Sequence, residues 1–239
     1  MTKKPYDISV KNFSYDYPDG TRALSKISLL VSTGESIAIL GPNGAGKSTL
    51  LLALAGLIFG HGEVSICGVP LSKKTVRFAR QKVGIVFQNP EDQLFCPTVG
   101  QDVAFGPRNM GLGPQEIKHR VKKALSDLGI AKLYGRSAHH LSFGEKKKAS
   151  IATILSMDPE VVAFDEPTAN LDPEGVHELK RVIKGIGKTK LIITHDISLA
   201  AELTDRAIVI NKGGIVCDMP MKALIGDVEK LRELKLFYD

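Results

Sequence analysis

The 239-residue chain predicts an α/β fold, with a parallel-sheet core, an attached antiparallel β part and an inserted helical part. Three observations predict it. Four short apolar runs, at 37–40, 83–87, 161–164 and 191–194, lack the polar alternation of a half-exposed strand, as suits strands buried on both faces of a parallel sheet. Each run is followed at once by polar or glycine-rich residues that can carry chemistry. Between the second run and the third, over about 89–160, the apolar spacing becomes helical.

In chain order, 6–17 and 23–31 are strand-like pieces around the turn Pro18-Asp19-Gly20, and they open the antiparallel part. The run 37–40 leads into GPNGAGKST and a following helix, and 62–71 is a further short β segment. The run 83–87 ends at Gln88. Residues 114–128 have helical apolar spacing, and 143–157 form a second helix stopped by Asp158-Pro159. The run 161–164 ends in Asp165-Glu166, and 191–194 ends in His195-Asp196. Residues 207–217 read as a hairpin about Lys212-Gly213-Gly214. Val228, Leu231, Leu234 and Phe237 give the terminal segment 227–239 the spacing of a helix that packs on the rest. The expected organisation is one domain over 1–239, with 1–88 and 161–239 forming the core and its β part and 89–160 inserted between them.

Composition excludes some classes of function. Hydrophobic content of 43% and charged content of 24% are ordinary for a globular protein. Cys67, Cys96 and Cys217 fit no zinc spacing and read as reduced structural thiols of a cytosolic protein. MTKKPYDISV has no apolar segment of a secretory signal, and the longest apolar run, 50–59, is about half of a membrane span. Work at a membrane would therefore go through a partner. The net charge of +6 permits phosphate, lipid or nucleic-acid ligands. Part of it is local, since 118–148 carries nine Lys/Arg against Asp127 and Glu145. That run reads as a solvated helical face, and without interleaved aromatics nucleic acid is not expected as a partner.

In an open parallel sheet ligands bind beyond the carboxyl ends of the strands, so the residues that follow the four runs are expected to converge on one crevice. Gly41, Pro42, Asn43, Gly44, Ala45, Gly46, Lys47 and Ser48 fit GxxxxGK[ST], with Thr49 next, between a strand and a helix as the motif requires. Glycines there let backbone amides and the helix N-terminus wrap a polyphosphate. Lys47 then reaches the β and γ phosphates and the Ser48 hydroxyl ligates Mg²⁺. VVAFDE places Asp165 on the metal side, where it can hold a metal-bound water, and Glu166 beside the γ-phosphate as the base for the attacking water. His195 is placed to contact the γ-phosphate or Glu166, and Gln88 to hold Mg²⁺ or water.

Taken in order, GPNGAGKST, Gln88, LSFGE, VVAFDE, ANLD and His195 resemble the ATP-binding cassette (ABC) family over nearly the whole chain. The resemblance implies a P-loop NTPase (RecA-like) core, ATP and Mg²⁺ as ligands and ATPase activity. It also implies a head-to-tail homo- or heterodimer in which Ser142 and Gly144 of one subunit meet the γ-phosphate held by the other and Asp172 links the two sites. Tyr17 is similar to the family's adenine-stacking aromatic, with Tyr15 as its rival. Two departures stand out. Phe143 and Glu145 occupy positions that the commoner LSGGQ fills with Gly and Gln, although Ser142 and Glu145 together also spell a helix capping box. The stretch QNPEDQLFCPTVGQDVAFGP resembles the energy-coupling-factor and cobalt or nickel importer branch. That implies a motor at the cytoplasmic face of the membrane whose 89–110 region receives an integral membrane subunit. Leu94 and Phe95 are then either its apolar contacts or core residues of the insertion, and cobalt, nickel or a vitamin is the implied cargo class.

Overall fold

The computed structural model describes residues 6–236. The chain runs β1 (Tyr6–Asp16), β2 (Arg22–Ser32), β3 (Ser36–Leu40), α1 (Lys47–Leu54), β4 (His61–Ile66), β5 (Val69–Pro70), α2 (Val76–Lys82) and β6 (Val83–Val86). The insertion supplies α3 (Val99–Asn109), α4 (Pro114–Asp127) and α5 (Phe143–Leu155). The remainder is β7 (Val161–Asp165), α6 (Pro173–Gly185), β8 (Thr189–Ile193), α7 (Ile197–Leu203), β9 (Arg206–Asn211), β10 (Gly214–Pro220), α8 (Met221–Ile225) and α9 (Val228–Glu233).

One sheet is antiparallel, in the order β2-β1-β4-β5, and the other has the order β10-β9-β3-β8-β7-β6. In the second sheet β9, β3, β8, β7 and β6 are all parallel to their neighbours and only β10 runs against them. The expected hairpin therefore forms, but its first strand is a fifth member of the parallel core. Its AIVI run, buried throughout, pairs with β3.

Alternation inside the buried runs puts a different core against each face of the sheet. Val161 and Ala163 join Ile37, Ile39, Leu191 and Ile193 under the antiparallel sheet and α1. Val162, Phe164, Val86 and Ile192 pack with the helices of the insertion, while Ala38, Leu40, Ala207 and Val209 pack with α7 to α9. Every residue of these strands is thus useful to packing, which is why the runs lack polar positions. Asp7 fastens β1 to the core, its carboxylate accepting the hydroxyls of Thr189 at 2.6 Å and Thr33 at 2.9 Å.

The terminal helix is shorter than its apolar spacing predicts. Lys235 adopts φ 55° after the last turn, so α9 stops at Glu233. Leu231 packs inward while Val228 is 49% exposed, and Phe237 lies outside the described residues. All three cysteines are free thiols.

Candidate active site

The parallel register brings the ends of β3, β6, β7 and β8 to one edge of the sheet, and a cleft of about 400 Å³ opens there. Tyr17, the loop residues 43–49, Gln88, Asp165, Glu166 and Ile193 line it. Gly41 and Gly46 show why the loop needs glycine. Gly41 has φ 139°, and a Cβ there would lie 2.0 Å from the Ile210 carbonyl oxygen; Gly46 has φ 105°, and its Cβ would lie 2.5 Å from the Ala23 carbonyl oxygen. Any side chain would push the loop off β9 or β2.

Lys47 opens α1 and is buried, its Nζ donating to the carbonyls of Gly41 at 2.7 Å and Pro42 at 2.9 Å. Burial lowers its pKa, against the pull of Glu166 and Asp165. The Ser48 hydroxyl donates to Asp165 Oδ2 at 2.9 Å. Burial raises the Asp165 pKa, the Ser48 hydrogen bond opposes the rise and Glu166 adds to it. Glu166 follows at φ 42°, a left-handed conformation that turns its side chain out of the strand direction; its amide donates to Ile193 O at 2.9 Å. His195 Nδ1 stands 3.0 Å from Glu166 Oε1, with the imidazole largely exposed. The phosphate loop, Asp165, Glu166, His195 and Gln88 thus come together at one strand edge, as their positions in the sequence suggest.

The two tyrosines separate. Tyr17 lines the cleft and shares a hydrogen bond of 3.0 Å with the Thr49 hydroxyl. Tyr15 packs against the core and presents its ring edge-on to Tyr17 at 5.2 Å between centroids. Ser142, Gly144 and Asp172 do not line this cleft. Ser142 is exposed and caps α5, its Oγ accepting from the Glu145 amide at 3.2 Å, while Glu145 Oε2 accepts from the Ser142 amide at 3.1 Å. Asp172, also exposed, caps α6 by accepting from the Gly175 amide at 2.8 Å.

Leu94 and Phe95 divide the two expectations between them. Leu94 is 8% exposed in the core of the insertion, so it is not a surface contact, whereas Phe95 is 64% exposed and stacks edge-on with Phe105 at 4.9 Å. The Asp102 carboxylate, buried on α3, holds this loop by accepting from the amides of Phe95 at 3.0 Å and Cys96 at 2.8 Å.

Most of the basic run is the solvated face that its composition suggests, with Lys118, Lys122, Lys123, Lys132 and Arg136 exposed, but its end departs from it. Lys146 and Lys148 pair with Glu91 and Glu178, and Lys147 is 1% exposed. Burial pushes the Lys147 ammonium down to about 8, with Asp165 acting the other way. No motif marks it, because a lysine inside a charge run carries no signal of the direction it points. Thr21, Arg22 and Ala23, which also line the cleft, are likewise silent in the sequence.

The family model described as ABC transporter matches residues 24–169. The chain is 45% identical over 235 residues to the energy-coupling factor transporter ATP-binding protein EcfA of Methanothermobacter thermautotrophicus, covering 96% of this chain and 76% of that one. It superposes with TM-score 0.85 and 40% identity on cbiO1 from Clostridium perfringens, described as part of the ABC transporter complex cbiONQ, covering 98% of this chain and 96% of that one. The ATP-binding cassette MJ0796, solved as a dimer in a post-hydrolysis state with ADP and Pi, matches with TM-score 0.79 and 26% identity over 90% of this chain and 98% of that one.

Proposed function

This chain belongs to the ABC transporter family, and from that premise we propose that it is the ATP-hydrolysing motor of an importer of the energy-coupling-factor or cobalt–nickel type, peripheral at the cytoplasmic membrane face. The observation that carries the catalytic half is the meeting of Lys47, Ser48, Asp165, Glu166 and His195 at one strand edge. Lys47 and the loop amides receive the β and γ phosphates, with Tyr17 beneath the adenine. Glu166 accepts the proton of the attacking water, and His195, 3.0 Å from it, orients the carboxylate and the γ-phosphate.

The donor set fits Mg²⁺, a hard cation that takes few protein oxygens and completes its shell with water and phosphate. Ser48 Oγ and Asp165 Oδ2 already stand 2.9 Å apart, and Gln88 offers a third oxygen from the facing strand end. These three residues would hold the ion, which would neutralise charge on the β and γ phosphates. A cation there would also favour the ionised form of Asp165 that burial disfavours.

The signature residues support the dimer. Ser142 and Gly144 stand at an exposed helix start outside the chain's own cleft, so a second copy or a close homologue is the body that can present them to it. The cassette MJ0796 is dimeric with ADP and Pi bound. ATP bridging two chains converts its binding energy into association, and hydrolysis removes the bridge. Among the described residues no helix is long and apolar enough to cross a membrane. On this proposal the import path belongs to an integral partner received by the 89–110 region, where Phe95 and Phe105 form an exposed aromatic pair. EcfA and the cbiONQ complex support this branch, and the resemblance of QNPEDQLF and DVAFGP to it implies cobalt, nickel or a vitamin as cargo.

Glu166→Gln tests the reading. The expected result is a dimer that forms on adding ATP and persists because turnover is very slow, seen by sedimentation, together with co-purification of an integral membrane subunit. Unchanged turnover removes Glu166 as the base, and a chain that recovers no membrane subunit when all plausible ones are co-expressed removes the importer assignment.

A further inference from the structure

Lys147 is the most enclosed lysine among the described residues: it is 1% exposed, and its Nζ donates to two backbone carbonyls, Phe87 O at 3.2 Å and Gln88 O at 2.6 Å, with no carboxylate partner. Burying an ammonium is costly unless its donors are used. Here they are used on the two residues that leave the end of β6, the edge strand of the core sheet, where the ladder no longer supplies partners. The Phe143 ring lies 5.9 Å from the ammonium, one helical turn before it on the same helix. That contact gives a physical role to the side chain that stands where the commoner signature has glycine.

Two further contacts bind the same pieces together. Gln93 accepts from the Phe87 amide at 3.2 Å and donates to Ser150 O at 2.9 Å and Thr153 Oγ1 at 2.7 Å, both on α5. A Cβ on Gly84 of β6 would lie 2.2 Å from Ile154 Cγ2, so α5 rests directly on the strand. The backbone around Gln88 is therefore held to α5 on both of its polar sides, by Lys147 at the carbonyls and by Gln93 at the amide.

We infer that Lys147 is a positioning residue for Gln88: by tying the 87–88 backbone to the helix that carries the signature, it sets where the Gln88 side chain enters the phosphate cleft, and Phe143 covers the tie. The inference rests on the proposed role of Gln88 at the Mg²⁺ and water side of that cleft. A lysine that only filled a hole in the core would affect melting and leave the reaction's metal dependence alone.

A double-mutant cycle on the full chain separates these cases. Gln88→Ala, Lys147→Met, Lys147→Gln and the combinations with Gln88→Ala are compared for kcat, for the Mg²⁺ concentration giving half-maximal ATPase, and for melting temperature. Since a misplacement of 1 Å can cost ~10²-fold, Lys147→Met is expected to lower kcat by roughly 10-fold and to raise the half-maximal Mg²⁺. Lys147→Gln, which keeps two amide donors without the charge, is expected to fall between Met and wild type. In the Gln88→Ala background neither substitution at 147 lowers kcat further, because residues acting through one another are not additive. Losses that multiply across the two positions, or a Lys147→Met protein with lowered melting but wild-type kcat and Mg²⁺ dependence, overturn the inference while leaving the role of Gln88 standing. Gln88→Ala with wild-type kcat and Mg²⁺ dependence overturns that role and the inference with it. If Lys147→Met does not fold, Lys147→Gln alone completes the cycle with the same criteria.

Discussion

Ser142 carries two assignments, helix cap and phosphate ligand, and they can be separated by counting hydrogen-bond capacity. A serine hydroxyl has one donor and two acceptor positions. The cap uses an acceptor, taken by the Glu145 amide at 3.2 Å, and Glu145 Oε2 is occupied by the Ser142 amide at 3.1 Å. The O–H is not needed for the cap, so both assignments can hold together, and the Glu145 carboxylate is turned to its own helix. Ser142→Ala loses both functions. Ser142→Asp keeps an acceptor for the cap but loses the donor and adds charge beside phosphate. Ser142→Gly loses the donor while costing only a few tenths of a kcal/mol in capping. Loss of a cap to alanine costs about 1 kcal/mol, which for a chain of this size lowers the melting temperature by about 2–4 °C. A hydrogen bond to a charged group contributes about 1.5–3 kcal/mol, and in a homodimer two-fold symmetry removes two of them. The ATP-bound dimer should therefore weaken by about 3–6 kcal/mol, or roughly 10²–10⁴-fold in its dissociation constant. Melting without nucleotide and sedimentation with ATP, both in the Glu166→Gln background, give the two readouts. The order expected in melting is Asp and Gly above Ala, while all three fail to dimerise. A Ser142→Gly protein that dimerises like its parent refutes the phosphate contact, and a Ser142→Asp protein that melts as low as Ser142→Ala refutes the cap.

Two other perturbations test the frame around the site. Gly41→Ala would force a Cβ to within 2.0 Å of Ile210 O at φ 139°, combining backbone strain with overpacking at a cost of roughly 3–5 kcal/mol; chemical denaturation and a fluorescent ATP titration should show both stability and binding lost, and wild-type stability would show that the loop does not press on β9. Glu202 on α7 accepts from Lys180 at 2.7 Å and Lys184 at 2.8 Å on α6, and these bonds, that of Lys180 first, hold its carboxyl at about 2 against the usual 4.5. Between those values the unfolded chain binds more protons than the folded one, so this contribution to stability is complete above pH 4.5 and is lost as pH falls through about 2. Glu202→Gln should flatten the melting-temperature profile in that window and nowhere above it, and a profile parallel to wild type would remove the pair.

The parts of the molecule legible in the sequence are those in which local pattern and tertiary role coincide. A strand buried on both faces must be apolar at every position, so VVAF and LIIT announce themselves, and a loop that wraps phosphate must be glycine-rich at fixed spacing. The run AIVI of β9 has the same pattern, yet it reads as half of a hairpin because the strong turn Lys212-Gly213-Gly214 is local while the pairing with β3 is not. Leu94 and Phe95 are adjacent apolar residues, and the fold alone decides that the first goes inside and the second outside. Tyr15 and Tyr17 differ for a related reason: the register of β1 with β2 shifts repeatedly between Val10 and Asp16, so strict alternation does not assign faces there. Lys147 is the extreme case. Its neighbours make a charge run that argues for water, and its burial depends on two carbonyls nearly sixty residues earlier.

Those two carbonyls also bear on how the halves of the site communicate. On the proposed reading the cleft needs Gln88 from its own chain and Ser142 from the other, and within one chain both are attached to α5: Ser142 caps it and Lys147 ties Gln88 to it. The exposed Phe95 follows the same loop, held by Asp102 from α3 and fastened to α5 through Gln93. A displacement of Phe95 by a membrane partner therefore cannot move Gln88 without also moving the signature. On that reading the partner's position would be felt at two ATP sites at once, at the chain's own metal side and at the other chain's γ-phosphate. Such a device would make the two sites respond together for a mechanical reason, since one helix carries the attachments of both Gln88 and Ser142.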